Sequence, residues 1–240
     1  MSRYLDRPEN QLRPVSIEIN TNMHAEGSCT IRCGDTIVIC TATVEEKVPT
    51  WMKNSGQGWI TAEYGMLPRS TEVRMDREAK KGQAGRTHEI QRLIGRSLRA
   101  GVDLKGINGL CIKIDCDVIQ ADGGTRTASI TGGFVALYLA CQKLVRQGKI
   151  TALPITQFIA AVSCGVVRGM PMLDLDYDED STAGTDANFV MTDRGTLIEV
   201  QATAEHGAFK ATELTQLLTL AENGIQSLIQ TQKQALGILK

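Results

Sequence analysis

The chain has 240 residues, a formal net charge of −1 and 42% hydrophobic residues, a composition typical of globular proteins that excludes intrinsic disorder. It has no apolar run of about 18 residues, and its first residues are charged, so we expect neither a membrane span nor a signal peptide. Seven cysteines without a Cys-x-x-Cys pair predict reduced core thiols in a cytoplasmic protein and argue against a zinc site.

The first predicted elements are strands. The β-prone runs at 29–32 and 36–43 are joined by Gly34 and Asp35, which predicts a hairpin. Residues 44–84 are polar and contain glycine and two prolines, so we expect mostly loop around a short strand.

A helix is predicted at 87–100, because its apolar residues recur at helical spacing and Gly101 follows as a stop signal. The opposite face carries three arginines, Arg92, Arg96 and Arg99. Such a face is usually solvated, but with Arg86 just ahead of the first turn it also suits RNA phosphates. The spacing leaves both interpretations open.

A strand at 110–119 is predicted from its alternating pattern, and a long helix at 125–146 follows it. Glycines in the turn between them let the backbone approach a ligand, and a helix N-terminus offers unpaired N–H groups. Thr125 adds a hydroxyl, and Arg126 can grip an oxyanion with two hydrogen bonds. Anion binding and an ordinary capped turn both fit the sequence Asp122-Gly123-Gly124-Thr125-Arg126.

Four more strands and a final helix are predicted in the second half of the chain. Strands in hairpins followed by helices in blocks favour an α+β fold, with helices packed on a largely antiparallel sheet. No linker divides the chain, so we expect one domain at 1–240, with two pseudo-equivalent halves as the alternative. The strands are predicted at 155–167, 172–177, 189–192 and 197–202, and the helix at 213–236.

Six acidic residues lie close together in the second half. In an extended strand, the aspartates at 174, 176, 178 and 180 would share one side. Carboxylate oxygens suit Mg²⁺ or Mn²⁺, but a solvated acidic edge that discourages strand pairing is the alternative. The six are Asp174, Asp176, Asp178, Glu179, Asp180 and Asp186.

Five runs of sequence together resemble the ribonuclease PH family over nearly the whole chain. The central run, DCDVIQADGGTRTASITG, is long enough to be highly specific. The five runs lie at 66–71, 85–96, 115–132, 175–181 and 199–205.

The resemblance implies the two-layer fold of the second domain of ribosomal protein S5 and a homohexameric ring, a trimer of dimers. It also implies a cytoplasmic, phosphate-dependent 3′→5′ exoribonuclease that trims tRNA precursors, and by extension rRNA. Inorganic phosphate is the co-substrate, nucleoside 5′-diphosphates are released, and the reverse reaction adds nucleotides to RNA.

The resemblance also assigns site residues. It implies phosphate binding by Arg86, Gly124, Thr125 and Arg126, and a catalytic and metal-binding pair in Asp180 and Asp186, with Mg²⁺ or Mn²⁺. We expect the arginine face of residues 92, 96 and 99 to contact RNA, whereas Arg69, Arg74 and Arg77 suit either RNA or subunit contacts.

Two other classes of protein fit the sequence less well. A non-catalytic RNA-binding ring subunit would lack the phosphate arginines or the aspartates, and this chain has both. A hydrolytic magnesium nuclease would use water and would need no phosphate site. A phosphorolytic exoribonuclease is therefore the prediction.

Overall fold

Two β-sheets and four α-helices form the part of the chain that this computed structural model describes, residues 3–80 and 82–239. The first sheet has the strand order β1-β2-β3-β5-β4 and the second has the order β7-β6-β8-β9. The strands are β1 (Val15–Ile19), β2 (Gly27–Cys33), β3 (Thr36–Glu45), β4 (Trp59–Met66), β5 (Cys111–Gln120), β6 (Ile159–Val167), β7 (Met170–Leu173), β8 (Thr185–Thr192) and β9 (Leu197–Ala204). The helices are α1 (Gly85–Arg99), α2 (Thr125–Arg146), α3 (Tyr177–Thr182) and α4 (Ala211–Ala235).

The first sheet is antiparallel except at one edge. The predicted hairpin is confirmed as β2–β3, and β5 pairs antiparallel with β3. The edge strand β4 instead runs parallel to β5. The predicted alternation of β5 is also confirmed, because its residues Ile112, Ile114, Cys116 and Val118 are all buried against the helices.

In the second sheet, strand β6 is covered on both faces, so every one of its residues is buried. Ile159 and Ala161 face the core shared with α2, and Ala160 and Val162 face a second core. The apolar residues of α4 complete that second core. An α+β fold with helices packed on largely antiparallel sheets, as predicted, is therefore confirmed.

Helix α2 is the central element of the molecule. By length and composition alone, it is apolar enough to cross a membrane, with a mean hydropathy of 1.3 in its most apolar window. However, 78% of that window is buried inside the protein, where α2 contacts both sheets. These properties are those of a core helix.

Two strands were not foreseen at their true extent. Residues 15–19 form the edge strand β1, which pairs with β2. The stretch predicted as mostly loop around a short strand contains the eight-residue strand β4. Strand β4 pairs with β5, a segment distant in sequence, and local sequence patterns do not report such pairing.

The strand predicted at 172–177 is wrong beyond Leu173. Strand β7 ends at Leu173, and the next residue, Asp174, has a left-handed backbone with φ of 56°, which breaks an extended chain. Asp176 then caps helix α3, because its carboxylate accepts from the Glu179 N–H over 2.9 Å. The acidic residues therefore do not share one side of a strand.

Candidate active site

The turn at 122–126, here called the phosphate turn, joins β5 to α2 through two glycines in left-handed conformations. Gly123 has φ of 71° and Gly124 has φ of 65°. A Cβ on Gly123 would lie 2.5 Å from the Leu175 carbonyl oxygen, so no larger residue fits there. Because Gly124 is the N-cap of α2 and has no capping side chain, the first N–H groups of the helix remain available to an anion.

A cleft of about 440 Å³ opens between the phosphate turn, α1 and the second sheet. It brings together side chains that are far apart in sequence and of opposite charge. The residues predicted to bind phosphate and those predicted to form the catalytic pair all line it: Arg86, Gly124, Thr125, Arg126, Asp180 and Asp186.

The two aspartates come from different elements. Asp180 lies on α3, and Asp186 lies on β8 opposite Gly165 of β6. Burial, and then the neighbouring Asp180 carboxylate, raise the pKa of Asp186 to about 6. Burial also raises the pKa of Asp180, against the effect of nearby Arg126 and Arg86. At neutral pH the two carboxylates therefore repel each other, and the arginines partly offset their negative charge.

The positively charged wall of the cleft is held by short polar contacts. Arg126 donates to the Gln201 side-chain oxygen over 3.2 Å, and its side chain is 18% exposed. The Tyr64 hydroxyl donates to Thr125 Oγ1 over 2.9 Å. Arg86 is exposed in the first turn of α1. This arrangement suits an anion with several oxygen atoms.

Three of the six acidic residues have structural roles that sequence did not reveal. Asp174 is buried and accepts from Arg13 Nη2 at 2.8 Å and Arg13 Nε at 3.1 Å. Glu179 pairs with Arg3 at 2.6 Å and with Arg7 at 3.1 Å. Asp176 is the cap of α3. The prediction that the aspartates at 174, 176, 178 and 180 share one side of an extended strand is therefore wrong.

Unlike Arg86, the other three arginines of α1, Arg92, Arg96 and Arg99, lie outside the lining of this cleft. Arg99 stacks 4.3 Å from the centre of the Trp59 ring and donates to the Ile60 carbonyl oxygen over 2.8 Å. Arg96 pairs with Glu199 at 2.6 Å, and Arg92 is exposed. Arg99 therefore packs against its own chain, whereas Arg92 is accessible.

The donor set near the aspartates consists of oxygens. Within residues 3–80 and 82–239, no three His, Cys, Asp or Glu side chains come together as a metal-binding group. Mg²⁺ suits such a site, because it keeps several waters and takes only one or two carboxylates. Burial, and then repulsion by Asp180, raise the pKa of Asp186, and a divalent cation also fits because it would relieve that repulsion.

Asp186→Asn is expected to stabilise the metal-free protein at pH 7 while abolishing activity. The folded-state pKa of Asp186 is raised, so the group disfavours folding increasingly as pH rises from about 4 to about 6. Removing the charge should raise the melting temperature by about 2–4 °C for each kcal/mol gained. Thermal unfolding in a chelator at pH 7 measures this, and an unchanged or lower melting temperature contradicts it.

Known proteins match this chain in sequence over nearly its whole length. Residues 11–142 match the model of the 3′ exoribonuclease family, domain 1, and residues 157–224 match domain 2. Ribonuclease PH of Cereibacter sphaeroides is 60% identical over 232 residues, covering 96% of this chain and 98% of that protein. Ribonuclease PH of Rhodospirillum rubrum is 56% identical over 235 residues, covering 98% of each.

Solved structures of lower identity share the fold. Rrp46 from rice (Oryza sativa) matches with a TM-score of 0.77 and 21% identity, over 96% of this chain and 98% of that one. A chain of the Archaeoglobus fulgidus exosome, with RNA bound to the active site, matches with a TM-score of 0.79 and 19% identity, over 95% and 91%. Together with the matches in sequence, these findings show that the chain belongs to the ribonuclease PH family of 3′ exoribonucleases.

Proposed function

We propose that this chain is a phosphorolytic 3′→5′ exoribonuclease that trims the 3′ ends of tRNA precursors and, by extension, rRNA. The observation that carries the proposal is the cleft, in which Arg86, Thr125 and Arg126 face Asp180 and Asp186. The 60% identity to a ribonuclease PH supports the same activity. The reaction is reversible, so the chain also adds nucleotides to RNA 3′ ends.

Inorganic phosphate is the nucleophile in this mechanism. One of its oxygens attacks the phosphorus of the terminal phosphodiester, the bond to the 3′ oxygen of the preceding nucleotide breaks, and a nucleoside 5′-diphosphate leaves. No histidine or cysteine is among the described residues that line the cleft, and none is needed. Arg86, Thr125 and Arg126 hold the phosphate in line, so positioning and charge neutralisation account for most of the acceleration.

Asp180 and Asp186 have two tasks in the proposal. They would hold Mg²⁺, or Mn²⁺, which when bound offsets negative charge on the scissile phosphate group. When it is protonated and not bound to the metal ion, Asp180 would instead supply a proton to the leaving 3′ oxygen, a role consistent with its raised pKa. The homohexameric assembly and the cytoplasmic location are further parts of the proposal, supported by the family likeness.

The test is to incubate the chain with Mg²⁺ and a tRNA carrying a short 3′ extension, with and without inorganic phosphate. Nucleoside diphosphates that appear only with phosphate are the expected products. Nucleoside monophosphates released without phosphate would mean hydrolysis and would contradict the roles of Arg86 and Arg126. No release at all would favour a non-catalytic RNA-binding subunit.

Arg92→Ala is expected to weaken RNA binding several-fold, if α1 contacts RNA phosphates. Arg92 is exposed and makes no ion pair among the residues described. Losing one phosphate contact should make the negative slope of log affinity against log salt shallower by about 0.7 for single-stranded RNA. Titrations at several salt concentrations measure the slope. Arg168→Ala, in the β6–β7 turn, is the control, and equal slopes for both variants would contradict the role.

A further inference from the structure

Arg13 lies beneath the phosphate turn and contacts both that turn and Asp174, which lies between β7 and α3. Its side chain is 0% exposed. Its Nη1 donates to the Asp122 carbonyl oxygen, and its Nη2 lies 3.5 Å from the Gly123 carbonyl oxygen. The same guanidinium pairs with both oxygens of Asp174, at 2.8 Å and 3.1 Å. One buried cation therefore joins the backbone that leads into α2 to the segment that leads into α3.

Thr36, the first residue of β3, contacts the same two turn residues. It is 0% exposed. Its hydroxyl accepts from the Asp122 N–H over 2.9 Å and donates to the Gly123 carbonyl oxygen over 2.7 Å. A hydroxyl has one proton to donate, and here it is directed at the turn. Thr36 and Arg13 together fix the backbone immediately before Gly124.

Asp122 extends this network to α3. Its carboxylate accepts from the Tyr177 N–H over 3.3 Å and lies 3.6 Å from Arg13 Nη1. Tyr177 is the first residue of the helix that carries Asp180. The two sides of the cleft are therefore held to each other through the buried guanidinium of Arg13 and through the contact of Asp122 with the Tyr177 N–H.

We propose that Arg13 and Thr36 are positioning residues for the bound phosphate. Neither lines the cleft, so both act through the phosphate turn. They hold the peptide units before Gly124, and so the direction of the free N–H groups of α2 and of the Thr125 and Arg126 side chains. Small displacements of such groups weaken oriented binding strongly. This inference rests on the proposed function, because it takes phosphate as the ligand of the turn.

Thr36→Val tests the inference, because valine keeps the shape of threonine and removes both hydrogen bonds. The KM for phosphate is expected to rise about tenfold, with the KM for RNA and the kcat at saturating phosphate nearly unchanged. Thr36→Ser keeps the hydroxyl, so its KM for phosphate should stay close to that of the wild-type chain. Arg13→Lys keeps the charge but loses the two-pronged geometry, so it should also raise the KM for phosphate.

Thr192→Val is the matched control. Thr192 is also 0% exposed, and its hydroxyl lies 2.6 Å from the Thr196 hydroxyl and accepts from the Arg194 N–H over 3.2 Å. It lies in the β8–β9 hairpin and does not line the cleft. Its loss should lower the melting temperature without changing the KM for phosphate.

A second readout needs no RNA. Inorganic phosphate should raise the melting temperature of the wild-type chain, and the phosphate concentration required should be about tenfold higher for Thr36→Val. Phosphate affinity of Thr36→Val equal to wild type, or lowered equally by Thr192→Val, overturns the inference. Failure of the proposed function appears separately, as absence of phosphate-dependent nucleotide release by the wild-type chain.

Discussion

Asp180→Asn is expected to lower the rate of phosphorolysis by roughly 100-fold or more, the loss typical when a group that stabilises developing charge is removed. RNA binding should change much less, because the contacts of Asp180 matter mainly in the transition state. Single-turnover rates on a tRNA with a 3′ extension, alongside RNA affinities, separate the two quantities. An equal loss in rate and affinity would assign Asp180 to substrate binding.

The matched control for this variant is Asp178→Asn. Asp178 lies two residues away on the same helix, but its side chain is exposed and does not line the cleft. Its activity should stay close to that of the wild-type chain. A comparable loss for both variants would indicate that the charge of α3, and not the Asp180 carboxylate, is what matters.

The pH dependence of Asp180→Asn tests its proposed role as proton donor. A group that donates a proton must be protonated, so the wild-type rate should fall as pH rises through its raised pKa. Asparagine does not titrate, so that limb of the profile should be lost in the variant. If the limb persists, the leaving oxygen obtains its proton from another source.

Asp174→Asn is expected to lower the free energy of unfolding by about 3–5 kcal/mol, the usual cost of leaving one partner of a buried ion pair alone. Asp174 is 6% exposed and accepts from the Arg13 backbone N–H over 2.7 Å and from the Arg13 side chain. The loss is a large part of the roughly 5–15 kcal/mol that stabilises a typical domain. Urea unfolding followed by circular dichroism measures it, and a loss within about 0.5 kcal/mol would contradict it.

Acid should reduce this stabilisation in the wild-type chain. Burial by itself would raise the pKa of Asp174, but the Arg13 guanidinium and its hydrogen bonds hold that pKa below its usual value. A lowered folded-state pKa contributes stability above the unfolded value, about 3.9, and that stability is lost as pH falls through the folded-state value. The wild-type chain should therefore lose more stability than Asp174→Asn when pH is lowered from 5 into that range.

Local patterns sufficed where the structure depends on neighbouring residues. The alternation of β5, the glycines of the phosphate turn and the long Ala-, Leu- and Val-rich run after it correctly predicted a strand, a turn and a helix from Thr125 to Arg146. These features follow from backbone geometry and from which side chains face the core, and both are visible within a few residues. The predicted phosphate-binding residues Gly124, Thr125 and Arg126 lie on this stretch.

The roles of the acidic residues were not visible in the same way. The sequence displays six carboxylates close together, but the partners of two of them, Asp174 and Glu179, come from the N-terminal segment. Arg13 and Asp174 are 161 residues apart, and Arg3 and Glu179 are 176 apart. The left-handed conformation at Asp174 also redirects the chain before α3. The tertiary structure alone left Asp180 and Asp186 facing the cleft.

The family, the α+β class and the local elements follow from the amino-acid sequence, because residue pattern and short-range geometry control them. The folded chain was needed to show that the strands form two sheets, that β4 joins its neighbour in parallel, and that Arg13 and Thr36 lie beneath the phosphate turn. Those features depend on which distant segments pair and on which buried polar groups find partners, and the energies that select them arise only when the chain is folded.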